Sequence, residues 1–461
     1  MNRLDKLSRF HDLRKEFPVF TYDSCNYYLS GNSLELSFAF NLSDKYFFNP
    51  VIRIPYKSRL YLPFESLTAQ SLDNLVFHIG MIELTSYWKA ACPPIVIIKP
   101  HSLNSSQVEF WKKIYFNGLG EFFFMNSIEV NEDNFMELAF PQENPVADFS
   151  LNQGDGCLVP DGGGKDSAVT MDLLNKSGED WLPFVINPGV TSREVIMAAG
   201  KNEDQTVDFH REIHPQLLKL NNEGFLNGHT PFSALLAFYS LLAAFLTGRH
   251  DILLSNESSA NEVTVPGTNI NHQYSKSVEF EKDFREYYRI NISPGFNYFS
   301  FLRPMSELRI ARLFSDMPDF FHHFRSCNVG SKTGRWCGSC PKCLFTFIIL
   351  SPFLKPETLI SIFGHNLLVD PSLEKTLEEL CGIAAVKPFE CIGTVDEVNV
   401  ALNEAFKMYE NDDLPYLLNK FKTEGKLKNI SGEDFLARLN RLEQGHYLPD
   451  RYLNLLRKVL R

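Results

Sequence analysis

PDGGGKDSAVTMDLL, residues 160–174, sets three consecutive glycines, a lysine and a serine between an apolar run, GCLVP, and a helix-like pattern. Glycines 162, 163 and 164 free the backbone to approach a ligand and turn its N–H groups toward it. The helix that follows brings the positive end of its dipole to the same place, so the turn suits phosphate. Lys165 adds a mobile positive charge and Ser167 a hydroxyl donor. Strand, glycine-rich turn and helix in that order open a parallel α/β sheet, whose ligands sit beyond the C-terminal strand ends. The loop is not a Walker A motif, because the position five before Gly164 is Val159 and Lys165 is followed by Asp166 rather than Ser or Thr. It contains no GxGxxG either. A glycine-rich turn with no ligand is the alternative reading.

Downstream the alternation continues. WLPFVINP reads as a strand, SREVIMAAGKN as a helix, TPFSALLAFYSLLAAFLTG (residues 230–248) as a long apolar helix and DILLSNE as a strand, an order that predicts helices on both faces of the sheet. The long helix carries no charge and approaches the length of a membrane span. Thr230 as its cap, Pro231 in its first turn, Gly248 at its end and a strand directly afterwards predict a buried helix instead. Upstream, NYYLSGNSLELSFAF and NPVIRIPY read as strands, SLDNLVFHIGMIELTSYWKAA as a helix, PPIVIIKP as a buried strand and SSQVEFWKKIYFNGLGEF as a second helix. FPQENPVADFSLNQGDG is turn-rich and marks a boundary. After about residue 355 the pattern is amphipathic helix. The expected organisation is an α+β domain over 1–145, an α/β domain over 146–355 and a mainly helical region over 356–461.

With 461 residues, 44% hydrophobic and 22% charged, the chain has the composition of a soluble globular protein of more than one domain. A net charge of −11 argues against a broad nucleic-acid surface, which needs excess Lys and Arg. MNRLDKLSRFHDLRKEF lacks the apolar core of a signal peptide, so a cytoplasmic location and no membrane association are expected. Nine cysteines fit free thiols or a metal site better than a secreted disulfide framework. Four of them, Cys327, Cys337, Cys340 and Cys343 in SCNVGSKTGRWCGSCPKC, have a spacing that closes a tetrahedral structural zinc site. Reduced thiols in a turn, or an iron–sulfur cluster, are the competing readings. Cys25, Cys92, Cys157 and Cys381 read as core residues.

Two polar segments fall at the C-terminal edge of the expected sheet: NGHTPFSA (227–234) and SNESSANEVTVPGTNINHQYSKS (255–277). Such runs directly after a buried strand suit a binding loop, and suit a solvated surface loop as well. His229 in particular also reads as a hydrogen-bonded structural histidine.

The glycine loop resembles the PP-loop of ATP pyrophosphatases, with the signature SGGxDS. Gly162 stands where that family has its first serine, and Gly163, Gly164, Asp166 and Ser167 match. The resemblance implies a HUP-like parallel sheet, ATP bound by residues 162–167 including Lys165, cleavage between the α and β phosphates, and magnesium as companion ion. A similar cysteine arrangement follows the PP-loop domain of the enzymes that make 7-cyano-7-deazaguanine. Taken in order, SYWKAACPP, YFNGLGEF, GGGKDS, NGHTPFSA, SNESSANEVTVPGTNINHQYSKS, RPMSELRIARLF, FRSCN, RWCGSCPKC, IFGHNLL and KPFECIG resemble the MurL family, the UDP-N-acetyl-α-D-muramoyl-L-alanyl-L-glutamate epimerases of peptidoglycan synthesis. The likeness covers most of the chain and weakens after about residue 395.

The resemblance implies ATP-dependent inversion of the terminal L-glutamate of UDP-MurNAc-L-Ala-L-Glu, with AMP and pyrophosphate as by-products. Such chemistry needs a base with a pKa near the working pH and donors for an enolate oxygen. His229, Glu257, His272, Lys276 and Cys391 lie in family-like segments and are the candidates, with no role assigned; a packed thiol is an equal reading of Cys391. Asn227, Asn256, Asn271 and Ser275 are candidate polar contacts. Arg303 and Arg309 are candidates for the substrate diphosphate, or for ordinary ion pairs. An adenylating, amidating enzyme like the 7-cyano-7-deazaguanine synthases and an ATP-binding regulatory protein are the alternatives.

Overall fold

A computed structural model describes residues 3–30, 32–151, 154–409 and 413–459 of the chain, a mixed α/β structure. It divides into two compact units that are discontinuous in sequence: residues 1–158, 207–252 and 274–298 form the first, and residues 159–206, 253–273 and 299–461 the second.

The strands are β1 (Val19–Ser30), β2 (Ser33–Leu42), β3 (Tyr46–Phe48), β4 (Val51–Pro55), β5 (Ile95–Ile98), β6 (Glu137–Ala139), β7 (Cys157–Pro160), β8 (Trp181–Ile186), β9 (Val207–Arg211), β10 (Asp251–Leu254) and β11 (Asn297–Ser300). In the first unit β9, β4, β2, β1, β5 and β6 lie side by side in that order, with β3 also on β2. Here β1–β2, β2–β4 and β4–β9 are antiparallel, while β1–β5 and β5–β6 are parallel. The period-2 pattern of β2 sends Leu34, Leu36, Phe38 and Phe40 into the core, while Ser33, Glu35 and Ser37 are only half-buried. The helix Ala69–Trp88, capped by Thr68, whose hydroxyl accepts from Ser71 N–H, covers that face. A Cβ at Gly80 would lie 1.8 Å from Tyr22 Oη, so only glycine lets this helix sit so close to β1.

The apolar segment at 230–248 forms the helix Phe232–Thr247, nearly all of it buried. Gly248 ends it in the left-handed conformation, φ 67°, as the sequence predicts. Its start differs. Pro231 takes the cap position without a side-chain bond, and the Thr230 hydroxyl instead accepts from the amine of Lys89. Phe238 stacks on Trp111 at 4.9 Å, and the Trp111 indole donates to Tyr287 Oη. Contacts of this kind absorb many of the chain's forty phenylalanines. Among the described residues, no helix is long and apolar enough to cross a membrane.

In the second unit the end of β7 feeds the glycine loop and the helix Lys165–Ser177, followed by β8 and the helix Val190–Ala198. β7 runs parallel to β10, and Asp161, just past β7, hydrogen-bonds through its N–H to Phe184 O of β8. The helix Glu307–Ser315 packs on Lys165–Ser177, and Pro341–Leu350 packs on both Glu307–Ser315 and Val395–Met408. Beyond Pro356 the described residues form helices and turns.

Candidate active site

The glycine loop is organised by a residue the sequence reading passed over. Asp161 Oδ1 accepts from Gly163 N–H (2.8 Å) and from the Ser167 hydroxyl (2.6 Å), tying the first turn of the helix back to the strand end. Its second oxygen is buried without a partner, and burial pushes the carboxyl up to about 6 against the two bonds that favour its charged form. Gly163 has φ +76° and a Cβ there would lie 2.8 Å from Thr191 Cγ2, so glycine is demanded twice over. A Cβ at Gly162 would meet nothing within 4 Å. Gly164 opens the helix Lys165–Ser177 with no side-chain cap.

Lys165 is buried, and its amine ion-pairs with Asp166 and with Glu307. Burial alone would lower its pKa, but the two carboxylates outweigh it and raise it. Burial pushes Glu307 well up, and Lys165 only partly opposes this, because Asp166, Glu257 and Glu397 add further negative charge around it. Glu397 receives Glu307 N–H at 2.7 Å and closes a capping box with Thr394. Carboxylate oxygens of Asp166, Glu257 and Glu307 lie within 4.8 Å of one another, close enough to share a divalent cation. The 255–257 segment is brought there by Thr170, whose hydroxyl bonds Ser255 Oγ at 2.9 Å.

Of the other sequence candidates, Arg303 is buried and donates to Glu257 O (2.6 Å) and Ser300 Oγ, which also receives Asn256. Arg309, on the helix Glu307–Ser315, donates to Val459 O at 2.8 Å. Asn271 donates to Ala260 O and accepts from Gln273 N–H. The His272 ring lies edge-on to Phe389, 6.4 Å away. Cys391 is half-buried in a loop held by Lys387, which donates to Gly393 O and pairs with Glu262, and by Gln273, which donates to Ile392 O. Gly393 rests against Glu307: a Cβ on it would lie 3.1 Å from Glu307 Cγ. The Cys391 loop therefore adjoins the Lys165 cluster. His229, Asn227, Ser275 and Lys276 belong to the first unit. There Ser275 is buried, and Asn227 accepts Gly228 N–H on its side chain and Asn126 on its carbonyl.

The sulfurs of Cys327, Cys337, Cys340 and Cys343 all lie within 4.8 Å of one another, with Cys337–Cys343 and Cys340–Cys343 at 3.5 Å. Thiolates at the corners of a zinc tetrahedron stand about 3.8 Å apart, given Zn–S bonds of about 2.3 Å, so this donor set fits that ion. Gly330 N–H donates to Cys327 Sγ at 3.0 Å, a contact that steadies a ligating thiolate. The knot is joined to the glycine loop, since Arg325 N–H donates to Gly163 O (2.8 Å) and the Thr191 hydroxyl to Ser331 O (3.1 Å).

Asp161, Glu307 and Glu397 escaped the sequence reading. Asp161 adjoins the glycines, and Thr394-x-x-Glu397 carries the visible spacing of a capping box. Glu307 has no local signal.

Comparison with known proteins gives a consistent result. The MurL N-terminal domain family matches residues 11–301 and the MurL C-terminal domain family residues 323–442. Three curated relatives are each named UDP-N-acetyl-alpha-D-muramoyl-L-alanyl-L-glutamate epimerase. One from Xanthomonas oryzae pv. oryzae is 35% identical over 344 residues, covering 72% of this chain and 75% of its own. One from Salinispora tropica is 33% identical over 396 residues, 84% of this chain and 85% of its own. One from a Micromonospora species is 32% identical over 396 residues, 84% of this chain and 87% of its own.

Proposed function

The chain belongs to the MurL family, and from that premise we propose that it is an isomerase that inverts the terminal L-glutamate of UDP-MurNAc-L-Ala-L-Glu, using ATP to adenylate the carboxylate next to the inverted carbon. The observation that carries the use of ATP is the uncapped glycine loop closed by Asp161, with Lys165 set among carboxylates at its side.

A proton beside a carboxylate is scarcely acidic, because its removal places a second negative charge next to the first. Attack of that carboxylate on the α-phosphorus forms an acyl-adenylate and expels pyrophosphate. The adenylated carbonyl is uncharged and accepts the electron pair left when the Cα proton departs. Return of a proton to the opposite face inverts the centre, and water then releases the D-glutamate product and AMP. In this reading the N–H groups of residues 162–167 bind phosphate in a PP-loop manner, and Lys165 meets the negative charge that develops there. Asp166, Glu257 and Glu307 would hold magnesium, whose chemistry is neutralisation of phosphate charge. The four cysteines would hold zinc as a closed structural site that braces the loop through Arg325 and Ser331. Cys391, in the loop whose Gly393 lies against Glu307, is a proton-transfer candidate within the second unit, and His229 within the first.

Incubation with ATP, magnesium and UDP-MurNAc-L-Ala-L-Glu in deuterated water, followed by hydrolysis and chiral analysis with mass detection, tests this. D-Glutamate deuterated at Cα, formed together with AMP, is the expected product. AMP with a new C–N bond and retained configuration would point to amidation instead. ATP binding without pyrophosphate release would point to a regulatory role, and either result would overturn the proposal.

A further inference from the structure

Several hydroxyls beside the glycine loop are already engaged within the second unit. Ser167 donates to Asp161 Oδ1 at 2.6 Å, and Thr170 donates to Asp166 O at 3.0 Å. Thr191 donates to Ser331 O and Ser192 to Gly189 O, both at 3.1 Å. Ser326 is different. Its Oγ lies 3.4 Å from where a Cβ on Gly164 would stand, and no other listed neighbour comes within 4 Å of that point. Ser326 is half-buried, and among the described residues its hydroxyl has no hydrogen-bond partner.

The backbone that carries Ser326 is fixed on both sides. Arg325 N–H donates to Gly163 O at 2.8 Å, and the Arg325 guanidinium donates to the carbonyls of His322, Phe324 and Gly334. On the other side Cys327 belongs to the four-sulfur knot, and its carbonyl accepts Ser331 N–H at 2.8 Å. The hydroxyl is thereby kept over Gly164, the residue that opens the helix Lys165–Ser177 with no side-chain cap. That helix has 13 residues, long enough for its first turn to carry the positive end of a dipole. A Cβ at Gly162 would meet nothing within 4 Å, so the turn is open at a position where it carries no hydroxyl of its own.

A hydroxyl donor held over uncapped amides suits the same ligand as those amides do, an anion with several oxygens. We propose that Ser326 donates its hydroxyl to a phosphate oxygen of ATP at the glycine loop, supplying from the cysteine segment the contact that Gly162 does not provide. The inference rests on the reading of the loop as the ATP site. It gives the cysteine knot a part in ligand binding, because Cys327 fixes the backbone next to a phosphate donor. A hydrogen bond to a charged phosphate is stronger than one between neutral groups, so its loss is measurable as affinity.

The test titrates the full chain with ATP and magnesium by calorimetry, in the absence of the UDP-linked substrate. It compares the unaltered protein with Ser326→Ala, Gly162→Ser and the double variant, with zinc content and Tm measured on each. Ser326→Ala should weaken ATP binding about tenfold or more, as expected for losing a hydrogen bond to a charged group, while zinc content and Tm stay unchanged. Gly162→Ser places a hydroxyl on the loop itself and should restore most of that affinity in the Ser326→Ala background, a larger gain than it gives in the unaltered protein. Unchanged ATP affinity in Ser326→Ala, or a loss accompanied by lower zinc content or Tm, would overturn the inference while leaving the ATP reading intact. Equal gains from Gly162→Ser in both backgrounds would do the same. No ATP binding by the unaltered protein would overturn both.

Discussion

Replacing Asp161 by Asn should make the protein more stable at pH 8 and leave it as stable as before at low pH. Asp161 is buried, two donors reach one of its oxygens, and the other oxygen has no partner. Its pKa rises from 3.8 to about 6 on folding, and at about 1.4 kcal/mol per tenfold change in proton affinity that corresponds to about 3 kcal/mol. Below the unfolded value both states hold the proton and nothing is lost. Between about 4 and 6 the folded state holds a proton that the unfolded state has released, and stability declines as pH rises through the folded value. Asparagine resembles the protonated acid in shape and keeps an oxygen for Gly163 and Ser167, so it bypasses this decline. Urea unfolding of both proteins at pH 4 and pH 8 should show curves that coincide within about 0.5 kcal/mol at the lower pH and separate by about 3 kcal/mol at the higher. On the proposed reading of the loop as the ATP site, the variant should nevertheless form AMP at least about tenfold more slowly. Parallel stability curves across that range would refute the reasoning about the buried oxygen.

The two central glycines should respond in opposite ways. Gly163→Ala forces a Cβ against Thr191 at positive φ and should cost about 1–3 kcal/mol in thermal unfolding, whereas Gly162→Ser enters open space and should change stability by less than about 0.5 kcal/mol while lowering the KM for ATP. Glu307→Gln removes one partner of a buried lysine that keeps its contact to Asp166, and should cost about 3 kcal/mol of stability together with most AMP formation. Cys337→Ser should lower zinc content in metal analysis and reduce Tm by several degrees, at about 2–4 °C per kcal/mol for a unit of this size; full metal content with an unchanged Tm would remove Cys337 from the site.

What could be read from the sequence was local. The glycine loop, its helix and the spacing of the four cysteines are encoded within a few residues of one another, and so are the left-handed Gly248 and the capping box of Thr394 and Glu397. The partners that give those motifs their electrostatics are not. Lys165 and Glu307 are 142 positions apart, and Lys89 and Thr230 are 141 apart, so only the tertiary fold brings them together. Thr230 illustrates the difference. Its sequence neighbours predict a helix cap, yet a buried amine from a distant helix end claims the hydroxyl, and Pro231, which has no N–H to offer, takes the cap position. The KPFECIG segment carried a visible cysteine but no sign that its glycine would lie against Glu307.

The interleaving of the two units bears on how the protein can be made and cut. The chain passes from one unit to the other after residues 158, 206, 252, 273 and 298. During synthesis the glycine loop emerges long before the first unit can be completed, because that unit still awaits the residues up to 298. The glycine loop itself must wait for Arg325, whose N–H holds Gly163, and for Glu307, which holds Lys165. Expression of an N-terminal or C-terminal half should therefore yield neither a nucleotide-binding fragment nor a stable scaffold, and the nascent chain stays dependent on its own later residues until most of it has been made.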